Sequence, residues 1–297
     1  MSAQLIALDW GTTNLRAYLL ANSAEIMDRL HSGDGIAQLI RADFPKVFSR
    51  LLDPWLQKYP KIPVLMSGMV GSVNGWHEVN YLSCPTTFTE LAKHLFALSR
   101  QIYIVPGLSL NYGDGWCDVM RGEETEIYGA YEENKTLFCV PGTHSKWVEI
   151  KNNSITHFTT YMTGEMYHLL KNHSILSKQI QTTARSDEAF IAGLQHVNNH
   201  AGFLANFFNI RAQVLHQRLK ETDIADYLSG MIIGYELKAA RFYWEQIETV
   251  TLIADSHLAQ CYQLAMQQNQ LHIQVISSED AVTKGLWKIA QQAGLVK

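Results

Sequence analysis

The chain of 297 residues has few cysteines, no dominant charge and no long apolar run, and each shortage removes a class of protein. Its four cysteines (Cys84, Cys117, Cys139, Cys261) are scattered without a CxxC pair, which excludes a disulfide-stapled scaffold and suits a reducing cytoplasm. No apolar run approaches the roughly 18 residues that cross a bilayer. The opening MSAQLIALDWGTT lacks a basic stretch, a long apolar region and a small-residue cleavage site, so a cytoplasmic protein with no membrane partner is expected. Basic and acidic residues number 24 and 28, a net charge of −4, which argues against a nucleic-acid binder held by a large basic face. Several site signatures are missing too. There is no GxxxxGKS or GxxxxGKT, and Gly33-Asp34-Gly35 has Gln38 where a dinucleotide fingerprint needs its third glycine. Leu65 and Met69 stand where a nucleophile elbow around Ser67 needs glycine. His196 and His200 have the spacing of helical metal ligands without the glutamate of HExxH.

What is present is an apolar fraction of 47%, ample for the core of one large domain or two ordinary ones. Hydrophobic spacing then divides the chain into halves with the same order of elements. The first half reads as strands at Leu5–Leu8, around Leu15, Ala17 and Leu19, and at Glu25–Arg29. A helix on Phe44, Val47, Phe48, Leu51, Leu52, Trp55 and Leu56 follows, then a strand at Ile62–Met66. Thr87-x-x-Glu90 is a capping box for a helix running to about Leu98; a strand at Ile102–Val105 and a helix at Glu123–Tyr131 close this half. The second half has strands at Leu137–Val140, Lys146–Ile150 and Ile155–Thr160, the last two joined at Asn152-Asn153. Helices at Glu165–Lys171, Glu188–Val197 and Ala225–Trp244 come next. A strand at Thr249–Ala254, a helix at His257–Gln268, a strand at Ile273–Ile276 and a helix at Glu279–Ala293 end the chain.

One local pattern recurs. Asp9-Trp10-Gly11-Thr12-Thr13 and Pro141-Gly142-Thr143-His144-Ser145 each place a Gly-Thr turn after the first strand of a half. Such a turn exposes backbone N–H groups and adds hydroxyl donors, a set suited to phosphate oxygens. Two of them could clasp a polyphosphate from both sides. Asp9, ending a buried strand, could hold Mg²⁺ through water, and Lys146 could add a point charge. The plainer alternative is that Asp9 caps a turn and Lys146 is a solvated strand residue. Charge is also concentrated in Asp118–Glu126. There a carboxylate could accept a proton from a substrate hydroxyl while the Arg121 fork pairs a substrate anion. Equally, the acidic residues could serve only the helix dipole. The loop from Ser67 to Trp76 is glycine-rich and follows a buried strand, where α/β folds place ligands. Trp76 either walls a small-molecule pocket or packs the loop.

Longer motifs carry a resemblance over nearly the whole chain. They include ALDWGTTNLRAYLL at Ala7–Leu20, SGMVGS at Ser67–Ser72 with Gly75-Trp76, YLSCP at Tyr81–Pro85 and VMRGEETE at Val119–Glu126. PGTHSKWV at Pro141–Val148, MTGE at Met162–Glu165 and LSGMIIGYE at Leu228–Glu236 continue the set. On these the sequence resembles the 2-dehydro-3-deoxygalactonokinase family, bacterial sugar-acid kinases within the ATP-binding superfamily of hexokinase, actin and the heat-shock chaperone ATPases. The resemblance implies an α/β, two-lobed actin/hexokinase-like fold with a ribonuclease H-like βββαβαβα core in each lobe. Residues 1–132 would carry the first phosphate turn and the sugar-acid site, and residues 133–297 the second phosphate turn and the adenosine site. The implied reaction is phosphorylation of the C6 hydroxyl of 2-dehydro-3-deoxy-D-galactonate by MgATP, in galactonate breakdown. A kinase for the epimer 2-dehydro-3-deoxy-D-gluconate, or an ATP-binding regulatory protein without sugar-kinase activity, is the alternative. ATP and Mg²⁺ are the implied cofactors, and a homodimer is compatible with such an enzyme.

Residue by residue, the resemblance implies that Asp9, Gly11, Thr12 and Thr13 form the first phosphate site, with Asp9 facing the metal. Gly142, Thr143 and His144, with Lys146, form the second. Leu228–Glu236 matches a helix connecting the lobes, in which Gly230 and Gly234 permit close packing. Adenosine is expected at Ala254-Asp255-Ser256, where Asp255 replaces the small glycine-containing turn usual in the family and could crowd the adenine. Glu123 is the expected base, with Glu124 and Asp118 behind it. Arg121, Gly68, Met69, Trp76 and Glu124 are expected around the sugar acid.

Overall fold

A computed structural model describes residues 2–113, 115–181, 184–198, 202–246 and 248–297; His200 lies outside them. The chain forms two compact units, one of Met1–Thr136, Val148–Thr159 and Ile276–Lys297, the other of Leu137–Trp147 and Thr160–Val275. This division differs from a single cut after residue 132, because the C-terminal helix Ser278–Gln292 packs in the first unit.

In the first unit, strands β1 (Leu5–Trp10), β2 (Leu15–Leu20) and β3 (Ile26–Ser32) form an antiparallel meander. Helix α1 (Phe44–Lys58), strand β4 (Val64–Ser67), helix α2 (Phe88–Lys93), strand Ile102–Ile104 and helix α3 (Glu123–Ala130) follow in the expected order. The sheet runs β3-β2-β1-β4, then Ile102–Ile104 and Phe96–Ala97. β4 is buried throughout and β1 nearly so, which is why both read as apolar runs and not as alternating strands. They pair in parallel with Asp9 opposite Ser67, so the two loops after them leave the same end of the sheet. α1 buries Phe44, Val47, Phe48, Leu52 and Trp55 on one face, with Pro45 in its first turn.

Thr87 caps α2, its hydroxyl accepting the Glu90 N–H at 3.1 Å, but the helix stops at Lys93 and not near Leu98. Beyond it Phe96–Ala97 pairs antiparallel with Ile102–Ile104, and Leu98 N–H reaches Ile102 O at 2.9 Å. Pairing across this short turn outcompetes helix continuation. A small sheet of Leu82–Ser83, Leu108–Asn111 and Cys117–Met120 fills a stretch the sequence leaves as loop, because its strands are too short to show a period. It delivers Arg121 directly to the start of α3. Against α3 lies the C-terminal helix: a Cβ on Gly129 would run into Ala281 O, and one on Gly285 into Thr125 O. Only glycines allow that backbone approach, and it carries residues 276–297 into this unit.

In the second unit, strand Leu137–Val140 pairs in parallel with Thr249–Ile253. Strand Ser145–Lys151 begins here, and after Asn152 and Asn153 (φ 50° and 60°) the chain returns as Ser154–Tyr161. Two consecutive positive φ values are what a tight hairpin turn requires, and asparagine tolerates them. Helices α4 (Thr163–His173), α5 (Asp187–His196), α6 (Phe203–Leu215), α7 (Ile224–Tyr243) and α8 (Ser256–Gln268) complete the unit with strand His272–Ile276. α6 is absent from the sequence reading. Its apolar residues surround the axis, with Leu204, Phe208 and Leu215 exposed and Phe207 and Ile210 buried, so no one-sided stripe marks it. α7 lies wholly inside this unit and packs on α5, where Gly230 meets Phe190 O and Gly193 meets Tyr227 O. Among the described residues no helix is long and apolar enough to cross a membrane.

Candidate functional site

The first Gly-Thr turn is shaped by the segment from Gly35 to Ala37. Ile36, Ala37 and Gly35 donate N–H bonds to the carbonyls of Gly11 (3.1 Å), Thr12 (3.0 Å) and Thr13 (3.2 Å). In a trans peptide the N–H opposes the C=O. Tying down these carbonyls therefore turns the N–H groups of Thr12, Thr13 and Asn14 to the other side, where Thr12 and Thr13 are exposed. Gly35 makes this contact possible, since a Cβ there would run into the Thr13 backbone. The Trp10 indole N–H, bonded to Asp34 O at 2.8 Å, pins the segment to β1. The result is a row of backbone donors with hydroxyls beside it, the composition of an anion-binding nest.

Asp9 is half-buried at the end of β1, with Oδ2 3.7 Å from Arg16 Nη1 on the paired strand. Among the described residues no three metal-ligating side chains converge. Gly68 has φ +91°, and a Cβ there would lie 2.9 Å from Trp10 O and 3.4 Å from Asp9 Oδ1. Gly122 has φ +113°, and its Cβ would lie 3.2 Å from Gly68 Cα. These two glycines bring the start of α3 against the end of β1, with Glu123 next in the chain.

At that helix start the two glutamates differ. Glu124 is fully buried; its Oε2 accepts the Gly122 N–H (2.7 Å) and its Oε1 the Thr125 hydroxyl (3.1 Å). Burial first, and the Glu123 charge second, push its carboxyl up to about 8. Glu124 thus organises the helix start and has no surface to offer a ligand. Glu123 is half-buried, one oxygen accepting the Arg121 N–H at 3.0 Å. Asp118 sits on strand Cys117–Met120, where Oδ1 accepts the Val119 N–H at 2.7 Å and its charge acts on His157. Of the three carboxylates named from the sequence, Glu123 is the one at the helix start that water reaches.

Arg121 is only 7% exposed. One donor, Nη2, reaches Val79 O at 2.7 Å, while Nε and Nη1 are buried without a hydrogen-bond partner among the described residues. The Tyr81 ring, itself 40% exposed, lies 4.2 Å from the guanidinium carbon, and a Cβ on Gly71 would stand 2.9 Å from Nη1. The next residue, Ser72, also has a buried, unpartnered Oγ. Gly71 and Tyr81 belong to motifs quoted from the sequence but carry no role there; only folding brings them to Arg121. Met69 opens the single helical turn Met69–Gly71 beside them. Trp76 packs inward, its ring 5.3 Å from Phe48 and 6.1 Å from Trp10, which is the loop-packing alternative.

In the second unit, the N-terminus of α4 abuts the other Gly-Thr turn. Glu165 N–H bonds Thr143 O at 3.0 Å, and a Cβ on Gly164 would run into Gly142 O. His144 pairs through Nε2 with Glu165 Oε2 at 2.6 Å. Lys146 is not a solvated strand residue: it is 5% exposed, and its Nζ donates to Thr160 Oγ1 at 2.7 Å. A cavity of about 350 Å³ opens beside the turn, lined among others by Gly142, Thr163, Arg185, Ser229, His257 and Tyr262. α7 offers it Ser229, Ile232 and Ile233, while Gly230 and Gly234 face α5 and Val197. The lining includes His257 and Leu258, at the start of α8, but not Ala254, Asp255 or Ser256 just before them. Behind the turn, Glu236 is fully buried and accepts four hydrogen bonds. Ser145 Oγ and Trp147 Nε1 reach Oε1, both at 2.7 Å; Tyr262 Oη reaches Oε2 at 2.6 Å, with Thr163 Oγ1 beside it. Burial raises this carboxyl, and the four donors oppose the rise.

Comparison with known proteins points one way. A family model described as 2-keto-3-deoxy-galactonokinase matches residues 9–289. The chain is 35% identical over 291 residues to the 2-dehydro-3-deoxygalactonokinase of Escherichia coli K12, covering 98% of each. It is also similar to a solved structure from Sinorhizobium meliloti assigned as a 2-dehydro-3-deoxygalactonokinase, with TM-score 0.88 and 30% identity over 97% of this chain and 98% of that one. A ligand-bound xylulose kinase from Lactobacillus acidophilus shares the fold at TM-score 0.53 and 10% identity, over 97% and 89% of the two chains.

Proposed function

The chain belongs to the 2-keto-3-deoxy-galactonokinase family, sugar kinases on an α/β, actin- and hexokinase-like fold, and from that premise we propose its substrate and the residues that act on it. The proposed reaction moves the terminal phosphoryl group of MgATP to the C6 hydroxyl of 2-dehydro-3-deoxy-D-galactonate, in galactonate breakdown. The hydroxyl oxygen bonds to phosphorus, the bond to the ADP oxygen breaks, and the hydroxyl proton passes to Glu123. Asp9 would hold Mg²⁺ through water, where the cation neutralises phosphate charge. The N–H groups of Thr12, Thr13 and Asn14 supply fixed donors for the phosphates. Gly142, Thr143, His144 and the adjoining cavity hold the nucleotide.

The observation that carries the acidic substrate is Arg121. A buried guanidinium with two unpartnered nitrogens is costly unless an acceptor completes it, and the substrate carboxylate is the charge-matched acceptor we assign to it. Gly68, Met69 and the Gly71–Ser72 backbone frame the approach. The test is a coupled ADP-release assay on wild type and Arg121→Lys over both 2-dehydro-3-deoxy epimers and an uncharged sugar. We expect the galacto epimer to be preferred and Arg121→Lys to raise KM for the acids only. ADP release indifferent to sugar acids would instead indicate an ATP-binding regulatory protein, and preference for the gluco epimer would reassign the substrate.

A further inference from the structure

We propose that Glu236 is a positioning residue for the nucleotide, holding the second Gly-Thr turn, the start of α4 and helix α8 in one arrangement. The inference rests on the reading that this turn and its cavity bind ATP. Glu236 is only 3% exposed, and its four donors come from three different elements. Ser145 and Trp147 stand on the strand that leaves the turn, directly after His144. Thr163 opens α4, the helix whose Glu165 N–H bonds Thr143 O. Tyr262 lies on α8, which presents His257 and Leu258 to the cavity. Thr163 and Tyr262 line that cavity themselves. Glu236 follows Ile232 and Ile233 by one turn of α7, so it sits on the face that meets the cavity.

A core needing only volume here would take leucine, since a buried carboxyl costs free energy unless every oxygen is matched. Both oxygens are matched, by donors whose positions it thereby fixes. A satisfied polar network of this kind specifies one geometry where apolar packing would accept several. The elements it joins are the ones that must agree within a fraction of an ångström for the turn to meet phosphate oxygens.

The test compares wild type with Glu236→Gln, Tyr262→Phe and Thr163→Val. Each is measured for KM of ATP, KM of the sugar acid, kcat, MgADP affinity by titration, and melting without ligand. Glu236→Gln keeps the shape but leaves one acceptor oxygen for four donors. It should raise KM for ATP about tenfold or more, the loss expected of one hydrogen bond to a charged group, and weaken MgADP in parallel. KM for the sugar acid should stay within about twofold, the range of ordinary context effects where no partner is shared. Tyr262→Phe and Thr163→Val should shift the same constants less, and they carry the test if Glu236→Gln does not fold. A lower melting temperature with ATP and MgADP constants unchanged would overturn the proposal, as would equal rises in both KM values. A wild type that neither binds MgATP nor releases ADP overturns the nucleotide reading and this inference together.

Discussion

Glu123 and Glu124 are neighbours in the chain, yet water reaches only the first. If Glu123 takes the hydroxyl proton, Glu123→Gln should lower kcat by about 10²-fold or more, the usual range for a general base; near-normal turnover in steady-state assays would remove it from that role. Glu124 makes a prediction about stability. Its carboxyl is raised from an ordinary 4.5 to about 8, so the folded protein holds the proton more tightly than the unfolded chain. The stabilisation is complete below about pH 4.5 and is lost as pH rises from there through about 8. Glu124→Gln is neutral at every pH and can still accept the Gly122 N–H. Its stability relative to wild type should therefore improve between about pH 5 and about pH 9 in urea unfolding. Parallel pH profiles for the two proteins would show that burial does not perturb this group.

The turns act through their buttresses. Gly35 faces the Thr13 backbone, whereas Gly33, two residues earlier, would place a Cβ in open space. Gly35→Ala must push the first Gly-Thr turn out of place, which should cost about 1–3 kcal/mol, as overpacking does, and raise KM for ATP. Gly33→Ala should change stability by no more than about 0.5 kcal/mol. Urea melts and ATP kinetics on the pair separate local crowding from a general effect of adding a methyl group to this loop. The same reasoning applies to α3, whose close contact with the C-terminal helix depends on Gly129 and Gly285.

At the scale of the molecule, a chain of net charge −4 must bind anions with local donors and not by overall attraction. In the proposed function Thr12, Thr13, Arg121 and the second turn are those donors. MgATP at about 100 times its Kd should then stabilise the folded protein by about 2.7 kcal/mol, seen as a higher melting temperature; no shift at that concentration would count against the nucleotide site. The sequence by itself determined the order of the main strands and helices, though not α6 or the small sheet, and with it the Thr87 cap, the Asn152-Asn153 turn and both Gly-Thr turns. Each is written in spacing or residue type over a few positions. Tertiary structure alone decided that Gly35 supports the first turn, that Tyr81 and Gly71 face Arg121, and that Trp76 belongs to the aromatic core. It also set Lys146 on Thr160, joined residues 276–297 to the first unit, and gathered four donors on Glu236. Those partners lie far apart in the chain, and no local period records which surface a side chain will meet once the chain has folded.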